Sequence, residues 1–157
     1  MSEKPPELVL QAHIQHFVRS LGLLRGQAPV DKRISISAAH ALMFIRTRGK
    51  DQQTLQADLL KSLNLDKSNI TRLCMSLEKD GFVLQHQSKN DRRARQIFLT
   101  KKGERLADSL LNASQQRFSK ILQQIPKNKH SLVFKSLNLL TNAILAVNKK
   151  DTNLQAN

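Results

Sequence analysis

The chain has 157 residues, 39% of them hydrophobic, with a formal net charge of +14. That apolar share suffices for a packed core and excludes wholesale disorder. The charge draws the molecule to polyanions, whether nucleic acid, an anionic membrane or an acidic protein, and it is spread along the chain rather than gathered in one tail.

Five Gly and four Pro leave long unpunctuated stretches that favour helix, and six Phe with no Trp or Tyr make the core aliphatic. Over residues 8–25, Leu10, Ile14, Phe17, Leu21 and Leu24 recur at alternating steps of four and three, the seam of an amphipathic helix. A second helix is predicted from an N-cap at Ser37 to Thr47 or Arg48, closed by Gly49, with Ala41, Leu42, Phe44 and Ile45 inward. Thr54 is the expected cap of a short helix burying Leu55, Leu59 and Leu63. Asn64 then suits a left-handed exit, and Asp66 caps the next helix, which buries Ile70, Leu73 and Leu77 and ends at Gly81.

The period then changes. Phe82, Val83 and Leu84 and then Gln96 to Leu99 are strand-like, and Lys89, Asn90 and Asp91 supply turn chemistry between them. This predicts a β-hairpin with a basic tip carrying Lys89, Arg92, Arg93 and Arg95. Thr100 caps a long helix over about 101–125, which Pro126 breaks. The last predicted helix, 128–148, has Val133, Leu137, Leu140, Ile144 and Val147 on one seam and Leu132, Leu139, Ala143 and Ala146 beside it, and residues 149–157 read as a frayed tail.

Helix, helix, short turn, helix and hairpin is the order of a winged helix-turn-helix. The fold class is therefore mainly α with a small β-hairpin wing. A helix fits the major groove of B-DNA and reads base edges with its N-terminal residues. Lys67, Ser68, Asn69, Thr71 and Arg72 fill the polar side of the first turns of the candidate recognition helix, with residue types that bond phosphates and base edges.

The run from Leu65 to Leu73, continued by Leu77-Glu78-Lys79-Asp80-Gly81-Phe82-Val83, resembles the MarR family of multiple-antibiotic-resistance regulators. So does Asp91-Arg92-Arg93-Ala94-Arg95, followed by Leu99-Thr100-Lys101-Lys102-Gly103. The resemblance covers about residues 36–106 by motif and the flanking helices by layout. It implies that Arg93 enters the minor groove from the wing tip and that Asp91 orients a site arginine by an ion pair. It also implies that Ser68, Asn69, Thr71 and Arg72 face the major groove. The family's homodimers intertwine their terminal helices, which agrees with an apolar surplus in 8–25 and 106–147 that a reading head of about 60 residues cannot cover. Leu10, Ile14, Phe17, Leu21, Val133, Leu137, Leu140 and Ile144 are the expected dimer contacts. The expected organisation within one domain is an N-terminal dimerisation helix (1–35), the winged helix-turn-helix (36–105), C-terminal dimerisation helices (106–148) and a tail (149–157). Leu60 departs from the family, standing where a small residue is common.

The expected function is sequence-specific regulation of transcription, as a repressor relieved by a small-molecule effector or other signal, on a pseudo-palindromic duplex operator. The alternative is an architectural module that binds duplexes without sequence preference, or a protein-interaction module. No phosphate-binding Gly-rich loop, H-E-x-x-H or nucleophile elbow points to an enzyme, and no cofactor is expected. His13 and His16 have the spacing of a metal pair, but no Cys, Asp or Glu cluster joins them, so no metal is expected. His40 is given a packing role. Cys74, the one cysteine, allows no intrachain disulfide, fits a reducing compartment and is read as a packed thiol. The polar start from Met1 to Glu7 does not read as a signal peptide, and no run reaches the roughly 18 continuous apolar residues of a membrane span, so a cytoplasmic location is expected.

Overall fold

A computed structural model describes residues 4–26, 28, 31–49, 53–88, 91 and 93–155, the side chains of Arg25 and of 150–155 excepted. The chain divides into two compact units, Met1–Ser114 and Gln115–Asn157.

In the first unit, α1 (Pro6–Leu21) is followed by a 3-10 turn, Leu23–Arg25. The seam expected to run unbroken to residue 25 is interrupted because Gly22 adopts φ 75°, ending α1 one turn earlier. In the loop that follows, the Asp31 carboxylate accepts from the backbone N–H, Nε and Nη2 of Arg33. The side-chain hydrogen bond from Arg33 is the main reason the Asp31 carboxyl is lowered to about 2. Helix α2 (Ile36–Arg48) starts at Ser35, whose hydroxyl accepts from the Ala38 N–H at 3.1 Å, so Ser35 and not Ser37 is the cap. Ala41, Leu42 and Ile45 are buried as expected, Phe44 only partly, and His40 is exposed rather than packed.

Thr54 does not cap a helix. With Leu55 it forms a two-residue strand β1 (Thr54–Leu55), and Thr54 is itself buried. Helix α3 (Gln56–Leu63) begins instead with the Asp58 carboxylate accepting the Leu55 N–H at 2.9 Å. Asn64 takes the left-handed conformation, φ 50° and ψ 44°, and the chain turns into α4 (Lys67–Lys79). Leu60 is half-buried against the core. Strands β2 (Val83–Gln87) and β3 (Arg95–Leu99) pair antiparallel, Val83 opposite Leu99 and Gln87 opposite Arg95. The hairpin is longer than the sequence suggested, and Phe82 precedes it. The short β1 adds to β3, giving a three-stranded antiparallel sheet in the order β1-β3-β2.

The core of this unit gathers Leu42, Leu59, Ile70, Cys74, Val83 and Ile97, none more than 2% exposed, from α2, α3, α4 and the sheet. The first turns of α5 (Lys101–Gln123) close it through Ala107 and Leu110. The entry of α5 is tight. Thr100 Oγ1 donates to the Gly81 carbonyl at 2.7 Å and accepts from the Gly103 N–H at 3.0 Å.

The second unit holds the end of α5, a 3-10 turn (Lys127–Lys129) and α6 (His130–Gln155). His130 Nε2 lies 2.9 Å from the Ile125 carbonyl and 3.2 Å from that of Leu122, satisfying carbonyls left over at the end of α5. The chain stays helical through residues 149–155, where the sequence suggested a tail. By length and composition 127–149 could cross a bilayer. Ser131, Lys135, Asn138 and Asn142, however, recur at steps of four, three and four and line one side of α6, the pattern of a helix with one face in water.

Helix α5 approaches the strand entrance so closely that a Cβ on Gly103 would overlap the Phe82 carbonyl. Gly103→Ala is therefore expected to lower stability by about 1–3 kcal/mol, the range for an overpacked site. Urea unfolding monitored by circular dichroism measures it, and an unchanged midpoint would contradict this packing.

Candidate nucleic-acid interface

The geometry of the interface follows from the way α4 is buried. Ile70, Cys74 and Leu77 recur at steps of four and three and sit in the core, with Leu73 half-buried beside them. The opposite side must face out. Lys67, Ser68, Asn69 and Arg72 are exposed, Thr71 is half-buried, and Met75 continues the same face at 61% exposure. The Asp66 carboxylate caps the helix, accepting the Asn69 N–H at 2.8 Å. Its other oxygen accepts from Asn69 Nδ2, and Asn69 Oδ1 accepts from Arg72 Nη2 at 2.8 Å. The Thr71 hydroxyl donates back to the Lys67 carbonyl at 2.8 Å.

The hairpin is joined to α4 by a contact that spacing within one element could not reveal. Both Glu78 carboxylate oxygens accept from Gln85, one from its backbone N–H at 2.8 Å and one from its side-chain amide at 2.9 Å. Lys102 Nζ donates to the Asp80 carbonyl at 2.7 Å and lies 4.6 Å from the centre of the Phe82 ring. These bonds hold the wing strands at the C-terminal end of the helix. Their sequence signals are ordinary charged surface positions, so sequence reading passed over them.

At the far end of the hairpin, Arg93 and Arg95 are exposed, whereas Lys89 and Arg92 lie outside the described residues. Asp91 Oδ1 accepts the Arg93 backbone N–H at 2.8 Å, and the Asp91 carbonyl accepts the Ala94 N–H at 2.9 Å. Asp91 thus sets the backbone path of the Arg93 segment by an Asx turn. The expected ion pair of Asp91 with a site arginine is a separate matter from this backbone contact, and Arg92 lies outside the described residues.

Cys74, on the inner face of α4, is fully buried. Burial pushes its thiol up, and a hydrogen bond with the Gln56 side chain offsets this only in part. An ion pair, bidentate from Arg46 on α2 to Asp108 on α5 with the closest approach 2.7 Å, holds the Asp108 carboxyl below its ordinary value through its hydrogen bonds. It braces the same reading unit away from the exposed face of α4.

A helix-turn-helix whose second helix presents a polar, cationic face, followed by an antiparallel hairpin with exposed arginines, defines a winged helix-turn-helix module. The sequence model described as "MarR family" matches residues 34–94. Among curated proteins, the HTH-type transcriptional regulator BilQ of Clostridioides difficile is 27% identical over 93 residues, covering 59% of this chain and 63% of BilQ. Among solved structures, the S. aureus MepR–DNA complex superposes with a TM-score of 0.74 at 15% identity, covering 84% of this chain and 96% of that one. The PcaV regulator of Streptomyces coelicolor, solved with its natural ligand, gives 0.73 at 15% identity, covering 91% and 99%. Over its winged helix-turn-helix, residues 34–94, the chain is thus similar to the MarR family of regulators, and it shares their fold. The match to BilQ spans slightly less than two thirds of that protein's length.

Because the Cys74 thiol is enclosed and raised, it is expected to resist alkylation at neutral pH in the native protein and to react only on denaturation. Rapid labelling of the native chain by iodoacetamide, followed by mass spectrometry, would contradict a packed role.

Proposed function

We propose that this chain binds duplex DNA as a homodimer and represses transcription at a pseudo-palindromic operator until a small molecule or another signal relieves it. The observation that carries the reading is the polar face of α4, from Lys67 to Arg72, left exposed by burial of Ile70, Cys74 and Leu77 in a strongly basic chain. In this reading Lys67, Ser68, Thr71 and Arg72 engage the major groove. Arg93 and Arg95, with Lys89 and Arg92, engage phosphates and the neighbouring minor groove. MepR, which shares the fold, has been solved on DNA, in support of the same partner here.

The dimer rests on apolar surface that each unit leaves uncovered. On α1, Leu8, Leu10 and Phe17 are each at least half exposed. On α6, Leu132, Phe134 and Leu139 are likewise more than half exposed, with Leu137 and Ile144 close behind. So many large apolar side chains left exposed on each helix support an interface there. We take the expected contacts, Leu10, Ile14, Phe17, Leu21, Val133, Leu137, Leu140 and Ile144, to be covered by a second copy. The two reading heads would then meet half-sites roughly 34–36 Å apart, one helical turn.

For relief by a ligand, the first unit offers a cleft of about 810 Å³ where the start of α2, the end of α4 and the start of α5 meet. Leu73, Leu77, Phe82 and Leu106 give it an apolar floor, and Arg33 and Arg105 stand in its wall. A ligand there touches α4 directly. PcaV, with the same fold, was solved with its natural ligand, which fits a regulator of this design. With no catalytic constellation in the sequence, and relatives that are regulators, we assign no enzymatic activity.

Arg93→Ala is expected to weaken binding to the DNA upstream of the chain's own gene by about 1–3 kcal/mol, with an unchanged melting temperature. Wild-type affinity is expected to fall steeply with salt as several counterions are released. Fluorescence anisotropy at several salt concentrations measures both. Equal affinities for wild type and variant would count against the wing contact, and affinities within a few-fold for the upstream and a scrambled duplex would favour the architectural alternative.

A further inference from the structure

We propose that Asn69 is a positioning residue rather than a base reader, and that it holds Arg72 ready to read a guanine in the major groove. This rests on the duplex-binding reading above and deepens it.

The observation is a one-way relay along the exposed face of α4. Asp66 grips Asn69 twice, one carboxylate oxygen taking its backbone N–H and the other its Nδ2. Asn69 Oδ1 in turn accepts from Arg72 Nη2. The three residues stand at successive steps of three, and all are exposed. The chemistry fixes the direction. A flipped Asn69 amide would set its oxygen against the Asp66 carboxylate and its NH₂ against the Arg72 guanidinium, so both contacts would become repulsive. The carboxylate thereby orients the amide, and the amide oxygen orients the guanidinium.

The consequences for recognition differ between the two side chains. Reading adenine takes both ends of an asparagine amide, the NH₂ for N7 and the oxygen for the N6 amino group. Both ends of Asn69 are already engaged, and turning the amide toward a base would break its grip on Asp66 and on Arg72. Arg72 has spent one of its five N–H donors. Those left are enough for the two-bond contact with O6 and N7 of guanine. A long side chain otherwise loses rotamer freedom on binding, and one ordered beforehand loses less. The competing account is that these are ordinary solvated pairs along one helix face, which contribute little.

The experiment selects bound duplexes from a pool randomised across two adjacent major grooves, using the full-length chain, and sequences them. Wild type, Arg72→Ala, Asn69→Ala, the double variant and Asp66→Ser are compared; the last keeps a capping hydroxyl. Wild type is expected to enrich guanine at one position of each half-site by about 5- to 150-fold. Arg72→Ala is expected to flatten that position alone. Asn69→Ala and Asp66→Ser should weaken it several-fold and leave the other positions intact, and the double variant should match Arg72→Ala. A merely structural role for Asn69 would instead lower enrichment evenly across the site. Thermal melts identify any variant that fails to fold, and Arg72→Lys, which keeps the charge and loses the fork, then takes the place of Arg72→Ala. Loss of an adenine preference in Asn69→Ala with the guanine position untouched would overturn the inference, as would a double variant weaker than Arg72→Ala. Wild-type binding with no base enriched would instead overturn the sequence-reading function itself.

Discussion

The interaction on which everything else depends is the burial of one stripe of α4. Ile70, Cys74 and Leu77 are in a cluster with Leu42, Leu59, Val83 and Ile97, each of them at most 3% exposed. Burying side chains of this size contributes roughly 1.5–3 kcal/mol apiece relative to exposure. No alternative rotation of the helix offers comparable apolar area, because its other faces carry Lys67, Ser68, Asn69, Arg72, Ser76 and Lys79. The helix is thus locked about its own axis, and its polar side is presented outward without needing a bond of its own.

A second constraint sets where the wing stands. Glu78 leaves the end of α4 and clamps Gln85 on β2, while Thr100 ties the end of β3 to the turn at Gly81. Gly103 lets α5 pass against the Phe82 carbonyl. Helix, hairpin and the start of α5 are therefore one braced body. A duplex-binding protein needs two contact points at a fixed separation, since each groove contact is useful only if the other is in register. If the proposed ligand occupies the cleft between α2, α4 and α5, the same rigidity would couple it to both proposed contacts.

Much of this was legible in the sequence because local chemistry decides it. Asn64 in a left-handed turn, Asp66 as a cap, Gly81 after the helix and Thr100 before the next are residue types with strong backbone preferences, and the steps of three and four gave the buried face of α4. Where competing serines stood two apart, at 35 and 37, the cap went to Ser35, and since the two are the same residue type no local preference separates them. Strand β1 was illegible because two residues have no period, and it forms only by pairing Thr54 and Leu55 with Ile97 and Gln96 far along the chain. The Glu78–Gln85 clamp, the Arg46–Asp108 pair and the Asn69 relay were missed for a different reason. Each depends on which rotamer a polar side chain takes in three dimensions, and the residue types involved are common on any surface.

The central claim is that α4 lies in a major groove while the wing braces the minor groove beside it. Dimethyl sulfate separates the two, since it methylates guanine N7 in the major groove and adenine N3 in the minor groove. On a bound duplex the account expects guanine N7 protected within each half-site and adenine N3 protected in its flanks. Tight binding that leaves every guanine N7 as reactive as in free DNA would contradict it.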